Sequence, residues 1–185
     1  MSLIELVVFI VIVSVSIVGI FSVLNLATRT SADPVTRKQA LAIAESLLEE
    51  IELMPFTFCE STDANAATAT GAFVGAGGCA TTVEAIGPEA SETRYSSTTP
   101  FDNVNDYHGF AMNSGTGGIK DIAWPTTPVY SALNFYSASV TVVQEALGSI
   151  AASESLRVTV TVTGPGNTTV TLDGYRARYS PNATQ

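Results

Sequence analysis

The sequence predicts an α+β fold in which a long N-terminal α-helix packs on an antiparallel β-sheet. Three observations lead to this prediction. An apolar run extends from Leu3 to Leu24, apolar residues then recur at helical spacing over residues 34–54, and the C-terminal part alternates between apolar and polar residues. A chain of 185 residues is long enough for one globular head beside the apolar segment.

The apolar run is long enough to cross a membrane. At 1.5 Å per residue, a helix from Leu3 to Leu24 reaches about 33 Å, which matches a hydrocarbon core of roughly 30 Å. A cleavable signal peptide would have a basic N-terminal region, a shorter apolar core and a small-residue cleavage site, and the sequence has none of these. The run is therefore expected to be a membrane-length helix.

One acid, Glu5, lies inside this run. A carboxylate in a membrane is unfavourable by about 2.5–3.5 kcal/mol unless it finds a partner. The nearest basic side chain, Arg29, would lie about 36 Å away along a helix. The expected counter-charge is therefore the N-terminal amine of Met1, presented by a neighbouring copy of the chain. The alternative is an ordinary membrane anchor that carries an isolated acid.

The N-terminal sequence MSLIELVVFIV resembles the mature N-terminus of type IV pilins and pseudopilins. That family has an aromatic residue or Met first, followed by [ST]-L-[IV]-E-L and an apolar stretch. The resemblance implies that Met1 is the first residue after cleavage by a prepilin peptidase, and that its amine is methylated. It also implies that Glu5 pairs with the amine of an adjacent subunit in a helical filament. Ser22 stands where many pilins have Pro, so local unwinding of the helix is left open.

The resemblance also implies the type IV pilin fold, with a transmembrane or filament-core helix over residues 1–28 and a globular head over residues 29–185. The expected partners are other copies or other pilins and the inner-membrane assembly machinery. The expected location is the bacterial inner membrane before assembly and the extracellular pilus after it. More narrowly, the segments SADPVTRKQALAIAESLLEEI, FDNVNDYHGF and GYRARYS resemble the minor pilin D family of mannose-sensitive haemagglutinin (MSHA) pili. Two roles stay open: a structural filament subunit, or a minor or tip pilin acting in assembly initiation or adhesion.

An amphipathic helix follows the apolar run. Asp33 and Pro34 have the pattern of an N-cap and a first helical residue, so the long helix is expected to kink or restart there. Pro55 is expected to end it. The apolar residues at helical spacing, expected to face the head, are Ala40, Leu41, Ile43, Ala44, Leu47, Leu48, Ile51 and Met54.

The two cysteines, Cys59 and Cys79, do not form a CxxC motif, and His108 is the sole histidine. A Cys/His metal site is therefore not expected, and a disulfide in an oxidising compartment is the simplest interpretation. Such a bridge would close a loop over residues 59–79 and stabilise the fold by about 3 kcal/mol. Residues 59–100, rich in small and turn-forming residues, are expected to be a long, mostly irregular connection.

A short segment crowded with oxygen-bearing side chains contains Asp102, Asn103, Asn105 and Asp106. Carboxylate and amide oxygens are the ligands that Ca²⁺ prefers. The segment lacks the glycine and the later glutamate of an EF-hand loop, and Asx-rich turns commonly bind their own backbone. A self-satisfied turn is the favoured interpretation, so no metal or cofactor is expected, and a Ca²⁺ site is the alternative.

The strand signals come late in the chain. Residues 135–143 and 156–162 alternate between apolar and polar, and a third alternating segment passes through Val170 and Leu172 after a GPGN turn. We expect an antiparallel sheet with one buried face, covered by the amphipathic half of the helix.

The composition narrows the function classes. Eight basic residues against 17 acidic ones give a net charge of -9, which argues against a nucleic-acid partner. A single histidine offers little general acid–base chemistry, and the sequence has no G-x-S-x-G or phosphate-binding motif. We therefore expect a structural protein rather than an enzyme.

Overall fold

The computed structural model describes residues 3–89, 91–123 and 129–182, and for residues 26–33 it describes the backbone alone. Over these residues the fold is α+β, with a long helix and an antiparallel sheet. The helix, α1, spans Leu3–Leu53. The strands of the described residues lie in the order β1 (Ala111–Met112), β2 (Ser137–Gln144), β3 (Ser155–Gly164) and β4 (Thr168–Ala177).

Helix α1 continues through Pro34, so the expected restart at this position is wrong. Asp33 lies inside the helix rather than at its N-cap. A proline removes one hydrogen bond to the carbonyl four residues earlier and crowds that carbonyl with its ring, but the helix continues on both sides of Pro34. At its other end α1 stops two residues before Pro55, because the residue preceding a proline avoids the helical conformation.

The second half of α1 covers one face of the sheet, as its apolar spacing predicted. Four of the predicted residues are buried and the other four pack against the core at its edge: Ala40, Ala44, Leu47 and Ile51, then Leu41, Ile43, Leu48 and Met54. The sheet contributes a row of aliphatic side chains, mostly valines, to the same core: Ala138, Val140, Val142, Leu156, Val158, Val160, Val162 and Val170. The alternating strands therefore bury one face against the helix.

Strands β3 and β4 form the hairpin that the GPGN sequence predicted. Gly164 pairs with Thr168, and Gly166 adopts a φ of 69°, which glycine reaches without steric strain. The register places Gly174 opposite Val158, where the strand passes under the helix. A Cβ atom at position 174 would lie 2.9 Å from Cδ1 of Leu48, so the glycine lets the helix and the sheet approach closely.

The strand boundaries differ from the predicted ones at both ends of β2 and of β3, and the short strand β1 was not predicted. β2 begins at Ser137 rather than at residue 135, because Ser131–Phe135 forms a 3-10 turn. β1 has only two residues, Ala111 and Met112, which pair with Ser139 and Ala138 of β2. Two residues are too few for alternation to be recognised in a sequence.

Candidate functional site

The first part of α1, Leu3–Asn25, projects from the head with its side chains exposed; we call it the stem. Its mean hydropathy is 3.0 and none of its residues is buried. Leu3 and Phe9, for example, are 82% and 66% exposed. By length and composition the stem is suited to crossing a membrane.

The hydroxyl groups of Ser14 and Ser16 are satisfied within the stem. They donate to the carbonyl oxygens of Ile10 and Ile12 at 2.7 and 2.8 Å, which makes them compatible with an apolar environment. Glu5 lies in the first turn of α1.

Met1, the other residue expected to act in assembly, lies outside the described residues. The pairing of Glu5 with the amine of a neighbouring subunit therefore stays a prediction.

A disulfide joins Cys59 to Cys79, with Cα atoms 5.5 Å apart, and confirms the pairing expected from the sequence. Beside it, the main chains of Cys59 and Val83 form an antiparallel bridge. This bridge brings the residues that follow each partner, Glu60 and Glu84, close to one another. The disulfide thus organises a loop that has little apolar surface of its own.

The Asx-rich segment forms a 3-10 turn, Val104–Tyr107, with Asn103 as its N-cap. Oδ2 of Asp106 accepts hydrogen bonds from the N–H groups of Asp102 and Asn103 at 2.9 and 2.8 Å. The segment therefore satisfies its own backbone, as the favoured interpretation predicted. Among the described residues, however, Oδ1 of Asp102 and Oδ1 of Asp106 are buried without a hydrogen-bond partner.

Two asparagines join this turn to its surroundings. Nδ2 of Asn105 donates to the carbonyl of Ala85. Nδ2 of Asn103 donates to Oγ1 of Thr57 at 2.6 Å. The turn is thereby attached both to the loop before it and to the segment that follows α1.

Six acidic side chains meet between the disulfide loop and the 3-10 turn. We call them the acid cluster: Glu60, Glu84, Glu89, Glu92, Asp102 and Asp106. They form three overlapping groups of three, and within each group one oxygen from each carboxylate lies within 4.8 Å of the others. The groups are Glu60–Glu84–Asp102, Glu60–Glu89–Glu92 and Glu84–Glu89–Asp106.

Burial raises the pKa values of four members of the acid cluster. For Glu84 the loss of solvation is the largest cause, the charge of Asp106 is the next, and together with the other acids they raise its pKa to about 10. Loss of solvation likewise raises the pKa of Glu92 to about 8, the pKa of Asp106 to about 7, and the pKa of Glu60 above its ordinary value. Without a cation, burial therefore favours the protonated forms of Glu84 and Glu92 at neutral pH.

A separate ion pair anchors the loop to α1. Nε and Nη2 of Arg94 donate to the two carboxylate oxygens of Glu50 at 2.6 and 2.5 Å, and the hydroxyl of Tyr107 donates to Oε1 at 2.7 Å. Arg94 is 5% exposed. Burial alone would lower the pKa of Arg94, but the hydrogen bonds to Glu50 raise it above its usual range. This contact connects the helix, the loop and the 3-10 turn.

Sequence reasoning found two members of the acid cluster, Asp102 and Asp106, and missed the four glutamates. The glutamates are separated by up to 32 positions, between Glu60 and Glu92, and no local spacing connects them to the turn. The signal that relates them is the pair of cysteines, because the Cys59–Cys79 bridge returns the chain to the region of Glu60.

Comparison of the chain with protein-family models, with curated proteins and with solved structures gave no match.

Proposed function

We propose that this chain is a structural subunit of a type IV pilus or pilus-like filament, with a pilin fold. It polymerises through its stem, while the head covers the outside of the filament. The observation that carries this proposal is the division of a single helix into an exposed apolar half and a packed amphipathic half.

The stem requires an apolar environment that the head does not supply. Exposed surface of this extent is unfavourable in water, at about 25 cal/mol per Å² of apolar area. A bilayer covers such a helix before assembly, and neighbouring stems cover it in a filament. Moving from lipid to protein changes the apolar burial little, so packing and polar contacts must select the correct partner.

In this proposal, Glu5 is the polar contact that selects the neighbouring stem. It is the acidic residue of a stem without basic residues, in the sequence from Leu3 to Asn25. An ion pair in an apolar environment is sensitive to position, because displacing one partner leaves a desolvated charge. A pairing between Glu5 and the N-terminal amine of the next subunit would therefore define the register between stems.

The test is filament assembly by cells that express Glu5→Gln. The variant is expected to enter the membrane fraction like the wild type, because the substitution removes a charge from an apolar helix. Its filament yield, measured by negative-stain electron microscopy, is expected to fall. Glu45→Gln, at an exposed acid on the packed half of the same helix, is the matched control and is expected to assemble. Wild-type filament yield from Glu5→Gln would refute the role given to Glu5.

Immunogold labelling of the wild-type filaments separates the two roles that the sequence leaves open. Labelling along the whole filament supports the structural subunit. Labelling confined to the filament ends supports a minor or tip pilin that acts in initiation or adhesion.

A further inference from the structure

We propose that the acid cluster is a binding site for one Ca²⁺ ion, which joins the disulfide loop to the 3-10 turn Val104–Tyr107. This inference is independent of the proposed filament function, because all of its residues lie in the head.

The orientation of the carboxylates is the first argument. Four of them each have one oxygen beside a hydrogen-bond donor. The single hydroxyl of Ser61 lies within reach of both Glu60 and Asp102 and donates to one of them at a time. Glu89 accepts from the N–H of Ala85, and Asp106 accepts from the backbone of its own turn. Their other oxygens are buried and meet no hydrogen-bond donor among the described residues: Glu60 Oε2, Glu89 Oε2, Asp102 Oδ1 and Asp106 Oδ1. Each carboxylate is thus fixed through one oxygen and presents the other.

The burial of Glu84 is a second, independent observation that points to a cation. Its side chain is only 8% exposed, and both of its oxygens lack a hydrogen-bond partner within the described parts of the chain. It shares one group of close oxygens with Glu60 and Asp102 and another with Glu89 and Asp106. A buried carboxylate without any donor is strongly unfavourable, since it has lost its hydration and gained nothing in return. A cation at this position would satisfy both oxygens.

In the described residues, no basic side chain supplies the positive charge that these carboxylates lack. The charge of Glu84 acts on the pKa of Arg178, so this arginine is the one to consider. Its Nη1, however, donates to Glu154 at 3.2 Å and to the carbonyl of Ser153 at 3.1 Å. Within the described ranges, no arginine or lysine forms an ion pair with a member of the acid cluster.

The number and type of ligands favour calcium. The unpartnered oxygens of Glu60, Glu84, Glu89, Asp102 and Asp106 number six in the described residues, and Ca²⁺ takes about six to eight oxygens. At a Ca²⁺–oxygen distance of about 2.3–2.6 Å, ligands on opposite sides of the ion lie about 4.6–5.2 Å apart. Within each group the oxygens lie within 4.8 Å of one another, so one ion of this size can contact all three. Mg²⁺, at about 2.0–2.1 Å, needs a tighter site and keeps several waters.

The rival explanation is that the cluster simply shares protons. The raised pKa values of Glu84 and Asp106 are consistent with protonated carboxyl groups in the metal-free protein. The two explanations differ in their response to calcium, because a cluster that only shares protons keeps them when calcium is added, whereas a calcium site releases them when the ion binds.

The experiment uses the full chain in detergent micelles, after treatment with EDTA and its removal. Calorimetric titration with CaCl₂ at pH 7.5 is expected to show one ion bound per chain, with proton release, and thermal unfolding is expected to shift upward in CaCl₂. MgCl₂ at the same concentration is expected to give a smaller shift. Absence of both binding heat and a thermal shift with CaCl₂ would overturn the proposal.

Glu84→Gln tests the site itself. It removes a central ligand charge at constant shape, so calcium affinity is expected to fall by at least about tenfold, while the metal-free protein stays as stable as the wild type or becomes more stable. Asp102→Asn, a second variant at a half-buried ligand, is expected to weaken calcium binding independently. Glu49→Gln, at an exposed acid on α1, is the matched control and should bind like the wild type. Wild-type calcium affinity in both cluster variants would contradict the assignment.

Discussion

Asp63 shows how a single carboxylate organises an irregular loop. It accepts hydrogen bonds from the N–H groups of Asn65, Ala80, Thr81 and Thr82 at 2.7–2.9 Å. The N–H of Thr82, followed by that of Ala80, holds the pKa of this carboxyl group well below its usual range. The ionised side chain therefore replaces the regular hydrogen bonding that a loop of small residues lacks.

We predict that Asp63→Asn destabilises the head at pH 7, because the amide accepts these hydrogen bonds less strongly than the carboxylate. Since the pKa of Asp63 is lower in the folded state, its contribution is complete above the unfolded pKa, near 4, and declines as the pH falls. The difference in unfolding free energy between wild type and variant should therefore narrow from pH 4 to pH 2. Urea unfolding at each pH measures it, and a constant difference would contradict the prediction.

Arg94 makes a bidentate charged contact between the loop and the helix. We predict that Arg94→Met lowers the free energy of unfolding by about 3 kcal/mol, because it leaves Glu50 partly buried without its counter-charge. Arg94→Lys should recover only part of this loss, since an ammonium cannot form the bidentate pair.

Denaturant unfolding of Arg94→Met, Glu50→Gln and the double variant measures the coupling between the two residues. The effects of the single substitutions should add to more than that of the double variant. Strict additivity would show that the ion pair contributes nothing.

Among the elements, the disulfide loop depends most on a covalent constraint. The Cys59–Cys79 bridge packs against only a small cluster of buried residues that includes Ala66 and Ala69. We predict that replacing both cysteines by serine lowers the free energy of unfolding by about 3 kcal/mol. The main core between α1 and the sheet should persist, because it shares no buried residue with this small cluster.

Limited proteolysis tests this division. In the double serine variant, cleavage should appear first within residues 60–82, while α1 and the β3–β4 hairpin stay protected. Equal loss of protection across the head would contradict the independence of the two regions.

The helix and the three long strands were predictable because each carries its own periodicity. In α1, eight apolar residues at helical spacing mark the face that packs on the core. In β3, four apolar residues at alternate positions mark its buried face. Pro34 was misleading, because the signals for the start of a helix also occur inside a helix that continues on both sides. β1 was missed, because two residues carry no period.

The acid cluster could be predicted only in part. Asp102 and Asp106 could be predicted because they lie within five positions of one another, in a segment rich in oxygen-bearing side chains. Their glutamate neighbours arrive through the disulfide, the Cys59–Val83 bridge and the contact of Asn105 with Ala85. These are long-range contacts of an irregular loop, and neither period nor propensity encodes them.

For the chain as a whole, the division of α1 is the dominant feature. A helix of 51 residues is about 77 Å long, and among the side chains that the structure describes, the buried core residues of α1 begin at Ala40. The described residues of the head pack around their own core, while the side chains of the stem are exposed. In the filament that we propose, stems from several chains form the axis and the heads lie outside it.

The most direct measurement is a helical reconstruction, by electron cryomicroscopy, of filaments made by cells that express this chain. Our account predicts that the stems pack side by side in the filament core, with the carboxylate of Glu5 within about 4 Å of the N-terminal amine of a neighbouring subunit. A filament in which the stems do not touch, or in which Glu5 faces water or is paired within its own chain, would contradict it.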